Sequence, residues 1–180
     1  MNAFSYYMPT EVLFGRDCVI QQGARLKELG SHALIVTGRS SARNGALGDV
    51  LAALEANGQT ATVFDRVMPN PTVACVREGV ALLRAAGADF IVAAGGGSPM
   101  DAAKAIATLA VQDRPDGEIF AGGYAAEALP MAHIPTTAGT GSEVTPYAIL
   151  TNDEKQTKTS ITSPAMFPRL AFLDGKYMEH

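Results

Sequence analysis

Three times between His32 and Leu109, a short and continuous apolar run gives way to a segment with apolar residues at helical spacing. "HALIVTG" (His32–Gly38) reads as a buried strand. It is followed by Leu47, Val50, Leu51 and Leu54 on one helical face, with Gly58 as the stop. "QTATVFD" (Gln59–Asp65) is a strand rich in β-branched residues. After the break "MPNPT", Thr72 is placed to cap a helix whose apolar face is Val73, Val76, Val80 and Leu83. "ADFIVAAGGG" is the third strand, and a helix from Pro99 follows with Ala103, Ile106, Ala107 and Ala110 on one face. Strands that alternate with helices pair in parallel and are covered on both faces. The fold class is therefore α/β, a Rossmann-like and largely parallel sheet flanked by helices.

After this the rhythm changes. Arg114–Leu129 reads as loop. "PMAHIPTT" is a strand, "AGTGSE" a loop, and "VTPYAILT", "NDEK" and "TKTSITS" make an inserted β-hairpin near the C-terminus. "RLAFLD" (Arg169–Asp174) is a last short strand with nothing expected to follow it. A chain of 180 residues suits one domain, 1–180, and no repeat or linker interrupts it.

Composition narrows the function classes. A net charge of -4 with scattered Lys and Arg leaves no electrostatic footprint for nucleic acid or an anionic membrane. Two cysteines, Cys18 and Cys75, stand apart from any CxxC spacing, so no disulfide framework is expected. The start, MNAFSYYMPTEVLFG, lacks the basic and apolar regions of a signal peptide, and no apolar run has the length of a membrane span. A cytoplasmic protein is the default expectation.

Three glycines between a strand and a helix let a ligand approach the backbone with no Cβ in the way. In "AGGGSPMD", Ser98 reads as the helix N-cap, Pro99 as the first helical residue and Asp101 as the third. Free amides at that helix start, aimed over the C-terminal edge of a parallel sheet, make a site for phosphate or pyrophosphate. The plain alternative is a tight turn with a good cap. The dinucleotide fingerprint G-x-G-x-x-G is absent, since it breaks at Met100, and "GTGSEV" (Gly139–Val144) matches it only in part. "IPTTAGTGSEVT" (Ile134–Thr145) gathers hydroxyls and glycines after a strand, which suits a phosphorylated or polyhydroxylated ligand or a solvated turn. At the end of the first strand, Gly38-Arg39-Ser40 stands where dinucleotide folds place a ribose-binding carboxylate. Arg39 is either a partner for a 2′-phosphate or an ordinary surface charge.

"GGGSPMDAAKAIA" and "IPTTAGTGSEVT", in this order and at this separation, resemble the iron-containing (group III) alcohol dehydrogenases. Their patterns read GGGSPxDxxK and a TTxGTxSE-type stretch. The resemblance runs from "VLFG" to "LAFLD" and implies an NADP- or NAD-binding domain. Gly96, Gly97 and Ser98 would hold the pyrophosphate, and Asp101 would lie toward the nicotinamide. Thr136, Thr137 and Thr140 would line the cofactor, and Asn70 and Lys158 match dinucleotide-contacting positions. Gly38 and Ser40 stand at the ribose end. Many members carry Asp where this chain has Gly38, so the resemblance leans toward NADP or tolerance of both dinucleotides.

The family's iron or zinc is held by one aspartate and three histidines of a helical second domain, and no stretch of this chain matches it. His32, His133 and His180 lack ligand spacing, His133 reads as a packed strand residue, and Asp174 does not match the metal aspartate. The resemblance thus implies the cofactor half of an enzyme that exchanges hydride with a small alcohol or aldehyde, inactive by itself, with homo-oligomers open. Glycerol dehydrogenase and dehydroquinate synthase relatives, or a non-catalytic nucleotide-binding module, remain as alternatives.

Overall fold

The computed structural model describes residues 3–39, 41, 43–153, 155 and 157–179. Six strands form one parallel sheet. They are β1 (Glu11–Phe14), β2 (His32–Thr37), β3 (Thr60–Phe64), β4 (Phe90–Gly95), β5 (Met131–Pro135) and, last in the chain, β8 (Leu170–Leu173). Their order is β1-β8-β5-β4-β2-β3. Two more strands, β6 (Tyr147–Asn152) and β7 (Thr157–Thr162), pair antiparallel as a separate hairpin in which Tyr147 faces Thr162. The expected Rossmann-like sheet and its inserted hairpin are both present.

Alternation along the strands divides the core. Leu34, Val36, Ile91, Ala93 and Met131 point to one face, under α3 (Val73–Ala86) and α4 (Gly97–Val111). Ala33, Ile35, Phe90, Val92, Ala132 and Ile134 point to the other, under α1 (Cys18–Gln22) and α2 (Ala46–Ala56). Both faces are covered, which is why these strands read as unbroken apolar runs.

Two stretches at the ends of the chain gave no periodic signal. β1 and α1 lie before the first strand read from the sequence. β1 pairs in parallel with β8, and the Thr10 hydroxyl reaches the Pro168 carbonyl at 2.8 Å. Beyond β8 a 3-10 turn, Gly175–Met178, buries Tyr177 completely, where nothing was expected. Asp174 accepts from the Lys176 amide at 3.1 Å to start that turn, and the Lys176 ammonium also meets Asp17 and Asp49. Asp174 therefore has a structural task. The segment 114–129, read as loop, also contains a 3-10 turn at Asp116–Ala121.

α4 departs most from its reading. One apolar face was expected, but Pro99, Met100 and every residue from Ala102 to Leu109 are buried. The sheet covers one side of the helix and the β6–β7 hairpin the other, so a helix of small residues is enclosed all round. α3 packs alongside through Gly79, where a Cβ would come within 2.9 Å of Ile106 Cγ1 and 3.4 Å of a Phe64 ring carbon. Replacing Gly79 with Ala should cost about 1–3 kcal/mol by overpacking, despite alanine's better helix propensity. Urea unfolding checks this, and a stabilised variant would show that α3 and α4 can part. Thr72 caps α3 as read, accepting from the Cys75 amide at 3.2 Å.

Candidate functional site

The connections leave β2 and β4 in opposite directions. β2 leads through α2 to β3 at the sheet edge, and β4 leads through α4 to β5 on the other side. Between those neighbouring strands, above their C-terminal ends, the two crossovers part and leave a crevice. Gly38 follows the last residue of β2 there, and Gly95–Ser98 carries β4 into α4.

The strand-to-helix turn is tighter than its sequence suggests. Gly95 has φ 155°, and a Cβ there would come within 2.7 Å of Pro99 Cγ. With β4 running almost directly into the helix, Gly96 in extended conformation takes the cap position and α4 starts at Gly97. The expected cap is corrected accordingly, and no side chain caps this helix. Ser98 lies inside the first turn, and its hydroxyl accepts from the Asn70 amide at 3.3 Å. Asp101 is not the third helical residue and does not reach back to the cap. Its carboxylate accepts from Ser142 Oγ at 2.6 Å and from the Ile149 amide at 3.2 Å. First-turn amides of a helix have no acceptor within it, and Gly97 and Ser98 line the crevice at this helix start, where the dipole is positive.

Two cavities meet over Gly97 and Ser98, which line both. One, of about 470 Å³, is bounded by Gly38, Arg39, Val67, Met68, Pro69, Gly96, Pro99, Thr136 and Thr137. The other, of about 340 Å³, is bounded by Asn70, Asp101, Thr140, Ser142, Thr145 and Lys158, together with Tyr147, Ile149 and Thr151 of β6. Both are of the size of small-ligand sites. The residues singled out from the sequence thus divide between the cavities. Gly38, Gly96, Thr136 and Thr137 lie in the first, Asn70, Asp101, Thr140 and Lys158 in the second, and Gly97 and Ser98 at the junction. Ser40 lies outside the described residues.

Local chemistry holds these positions. Thr37 and Ser41 both donate to the Ala94 carbonyl at 2.7 Å, which ties the ends of β2 and β4 together. The Thr136 amide donates to the Gly95 carbonyl at 2.9 Å and anchors the start of the threonine loop. Asn70 adopts φ 59°, a left-handed conformation that asparagine tolerates, and its carbonyl accepts from Thr151 Oγ1 at 3.1 Å. Burial raises the Asp101 carboxyl above its ordinary range, against the Ser142 hydrogen bond, the nearby Lys104 and the Ile149 amide.

The face of β6 that carries Tyr147, Ile149 and Thr151 was missed as part of the site. A signal was present: Tyr147 and Ile149 alternate with the buried Ala148 and Leu150, so the strand is apolar on both faces. One face packs on α4, and the other, with Tyr147 52% and Ile149 46% exposed, walls the crevice. Lys104, the last position of the GGGSPxDxxK pattern, has no role assigned from the sequence and is wholly buried beneath that wall.

The fit to a metal is different. Among the described residues, no group of three or more His, Cys, Asp or Glu side chains could hold a metal ion. His133 is fully buried in β5 as a packed strand residue. Neither ring nitrogen has a hydrogen-bond partner among the described residues, and burial, then Lys104, holds it neutral. No described helix is long and apolar enough to cross a membrane.

A parallel α/β domain with a ligand-sized crevice at its topological switch point is the class that fold and site define. The family model described as iron-containing alcohol dehydrogenase matches residues 9–175, and the chain belongs to that family. NADH-dependent butanol dehydrogenase B of Clostridium acetobutylicum is 37% identical over 98% of this chain and 46% of its own length. The lactaldehyde reductase of Escherichia coli K12 is 36% identical over 92% of this chain and 44% of its own. The crystal structure of an iron-containing alcohol dehydrogenase from Thermotoga maritima superposes with a TM-score of 0.90 at 43% identity, over 98% of this chain and 49% of that one. This chain spans about half the length of the curated relatives it matches.

Proposed function

We propose that the crevice binds a nicotinamide dinucleotide, and that the chain is the cofactor-holding half of an oxidoreductase acting on a small alcohol or aldehyde. The observation that carries this reading is the pair of cavities joined over the first turn of α4. A dinucleotide has the matching shape, with two nucleoside ends joined by a pyrophosphate. The amides of Gly97 and Ser98 would take the pyrophosphate on the helix dipole. The hydroxyls of Thr136, Thr137 and Thr140 would supply further donors. The ADP-ribose end would rest by Gly38 and Arg39. The nicotinamide end would lie by Asp101 against Tyr147 and Ile149, whose apolar surface excludes water from one side of the ring. Lys158 and Asn70 would close the polar rim.

When bound, the nicotinamide supplies the hydride donor or acceptor, and the chain supplies binding and orientation. The described residues do not fit the metal of the family's name, so no step involving a metal is assigned to them. Met68, Tyr147 and Ile149 are exposed apolar side chains on the crevice walls. We take them as the face onto which the rest of an enzyme of the relatives' length would close. The chain alone should therefore bind dinucleotide at most weakly and show no metal-dependent alcohol oxidation. Sustained turnover by the 180-residue chain would overturn that.

At the ribose end, no carboxylate at position 38 would repel a 2′-phosphate, and Arg39 lines the same cavity. Titration by nicotinamide fluorescence should give NADPH an affinity equal to or better than that of NADH. Binding of NADH more than about tenfold tighter, a gap of about 1.4 kcal/mol, would exclude tolerance of the phosphate.

A further inference from the structure

Lys104 lies on α4 with none of its side chain exposed to solvent. Its ammonium donates to Ser142 Oγ at 2.8 Å, to the Tyr147 carbonyl at 2.8 Å and to Thr145 Oγ1 at 3.4 Å, and stands 3.9 Å from the Asp101 carboxylate. Each of those four partners lines the cavity beside the hairpin, whereas Lys104 does not reach it. Ser142 accepts from Lys104 and donates to Asp101, and Asp101 in turn accepts from the Ile149 amide. One buried cation therefore gathers a helix, a 3-10 turn (Ser142–Val144) and the first strand of the hairpin into a single wall.

We propose that Lys104 is a positioning residue for the ligand in this crevice: its ammonium holds the Asp101–Ser142–Tyr147 wall in binding-competent form without touching the ligand. The inference rests on the dinucleotide reading for the ligand's identity, but not for the wall itself. A packing role alone could be filled by methionine, with no charge to desolvate. Burial pushes the Lys104 ammonium down to about 8, while Asp101 and Glu143 oppose the fall. The charged form is thus kept in a place that disfavours it.

The surrounding groups limit what else could titrate there. Asp101 faces Lys104 from α4 itself, Glu143 from the 3-10 turn and His133 from β5. Lys158 lies across the cavity on β7. Arg84 of α3 bonds the Leu109 and Ala110 carbonyls, beyond the next turn of α4. β4 and the 3-10 turn Pro164–Met166 bring no ionisable side chain. β6 brings the Tyr147 phenol, burial holds His133 neutral, and the group that burial moves into the range just above pH 7 is Lys104.

If the ligand needs the protonated lysine, affinity holds below about pH 8 and is lost as pH rises through that value. NADH titrations of the wild-type chain should show the dissociation constant constant from pH 6.5 to 7.5 and about tenfold higher by pH 9.5. Lys104→Met should be about tenfold weaker at pH 7 and flat across the same range, because the charged hydrogen bonds are gone. A flat wild-type profile, or a methionine variant that binds as the wild type does, overturns the proposal. Should the variant fail to fold, the wild-type profile decides. A second readout needs no ligand. The hydrogen-exchange protection factor of the Ile149 amide should fall about tenfold between pH 7.5 and 9.5, while those of β2 amides hold. Absence of NADH binding at every pH would sink the dinucleotide reading, and constant Ile149 protection would sink this one.

Discussion

Gly97→Val should weaken dinucleotide binding by at least about 100-fold, a loss of about 2.7 kcal/mol. A Cβ at position 97 would come within 3.0 Å of Thr140 Cγ2 and 3.4 Å of Thr140 Cβ, so the threonine loop must give way. The valine methyls would then stand at the junction of the two cavities, over the amides proposed for the pyrophosphate. Position 97 carries no left-handed backbone, so the effect is one of occupied space and not of chain strain. Gly48→Ala on α2 is the control. A Cβ there meets nothing within 4 Å, and the change should leave binding untouched and add roughly 0.4–1 kcal/mol of stability. Measured by NADH fluorescence, a Gly97→Val affinity within threefold of wild type would remove the helix start from the site.

Phe90→Ala should destabilise the fold by about 3–5 kcal/mol, a large part of the stability of an ordinary domain. Phe90 opens β4, the strand that ends in the crevice, and none of its surface is exposed. It packs in the layer beneath α1 and α2 with Val92, Leu54 and Ile35, where a close-packed interior cannot collapse to fill the space of a lost ring. The urea midpoint should fall with little change in slope. Phe4→Ala is the comparison, since Phe4 is 90% exposed and should shift stability by no more than about 0.5 kcal/mol. Equal effects of the two changes would mean that the aromatic burial is not what holds the sheet.

The elements that could be read beforehand are those whose signal is local. β2, α2, β3, α3 and β4 each carry their own period and their own stop, and Thr72 caps α3 with a side chain that acts on the next three residues. The hairpin was legible for the same reason. The N-cap at Ser98 failed because capping preference is statistical, while the geometry of Gly95 folding under Pro99 moved the helix start back to Gly97. β1 and the turn at Gly175–Met178 were illegible because their support lies at the opposite end of the chain: β1 against β8, and Lys176 against Asp17 and Asp49. His133 was read correctly as packed, although nothing local shows that its ring nitrogens lack partners.

The candidate site divides along the same line. Its floor, from Gly96 to Asp101, and its hydroxyl loop, from Thr136 to Thr140, are contiguous segments whose residue types declare their chemistry. The wall of Tyr147, Ile149 and Thr151 became part of the site only when the hairpin folded over α4. Lys104 could be taken for a solvent-facing helix residue, because a charged side chain flanked by alanines gives no hint of a cover 38 to 43 residues further along the chain.

By itself the sequence determined the strand–helix alternation, the parallel sheet and the glycine turn that bares the helix start, because period and backbone freedom act within a few residues. Only the tertiary structure decided that α4 is enclosed on every side, that its lysine is buried against Asp101 and Ser142, and that two cavities join over Gly97. Those outcomes depend on which surfaces meet across the chain, and such meetings are set by the packing of whole elements.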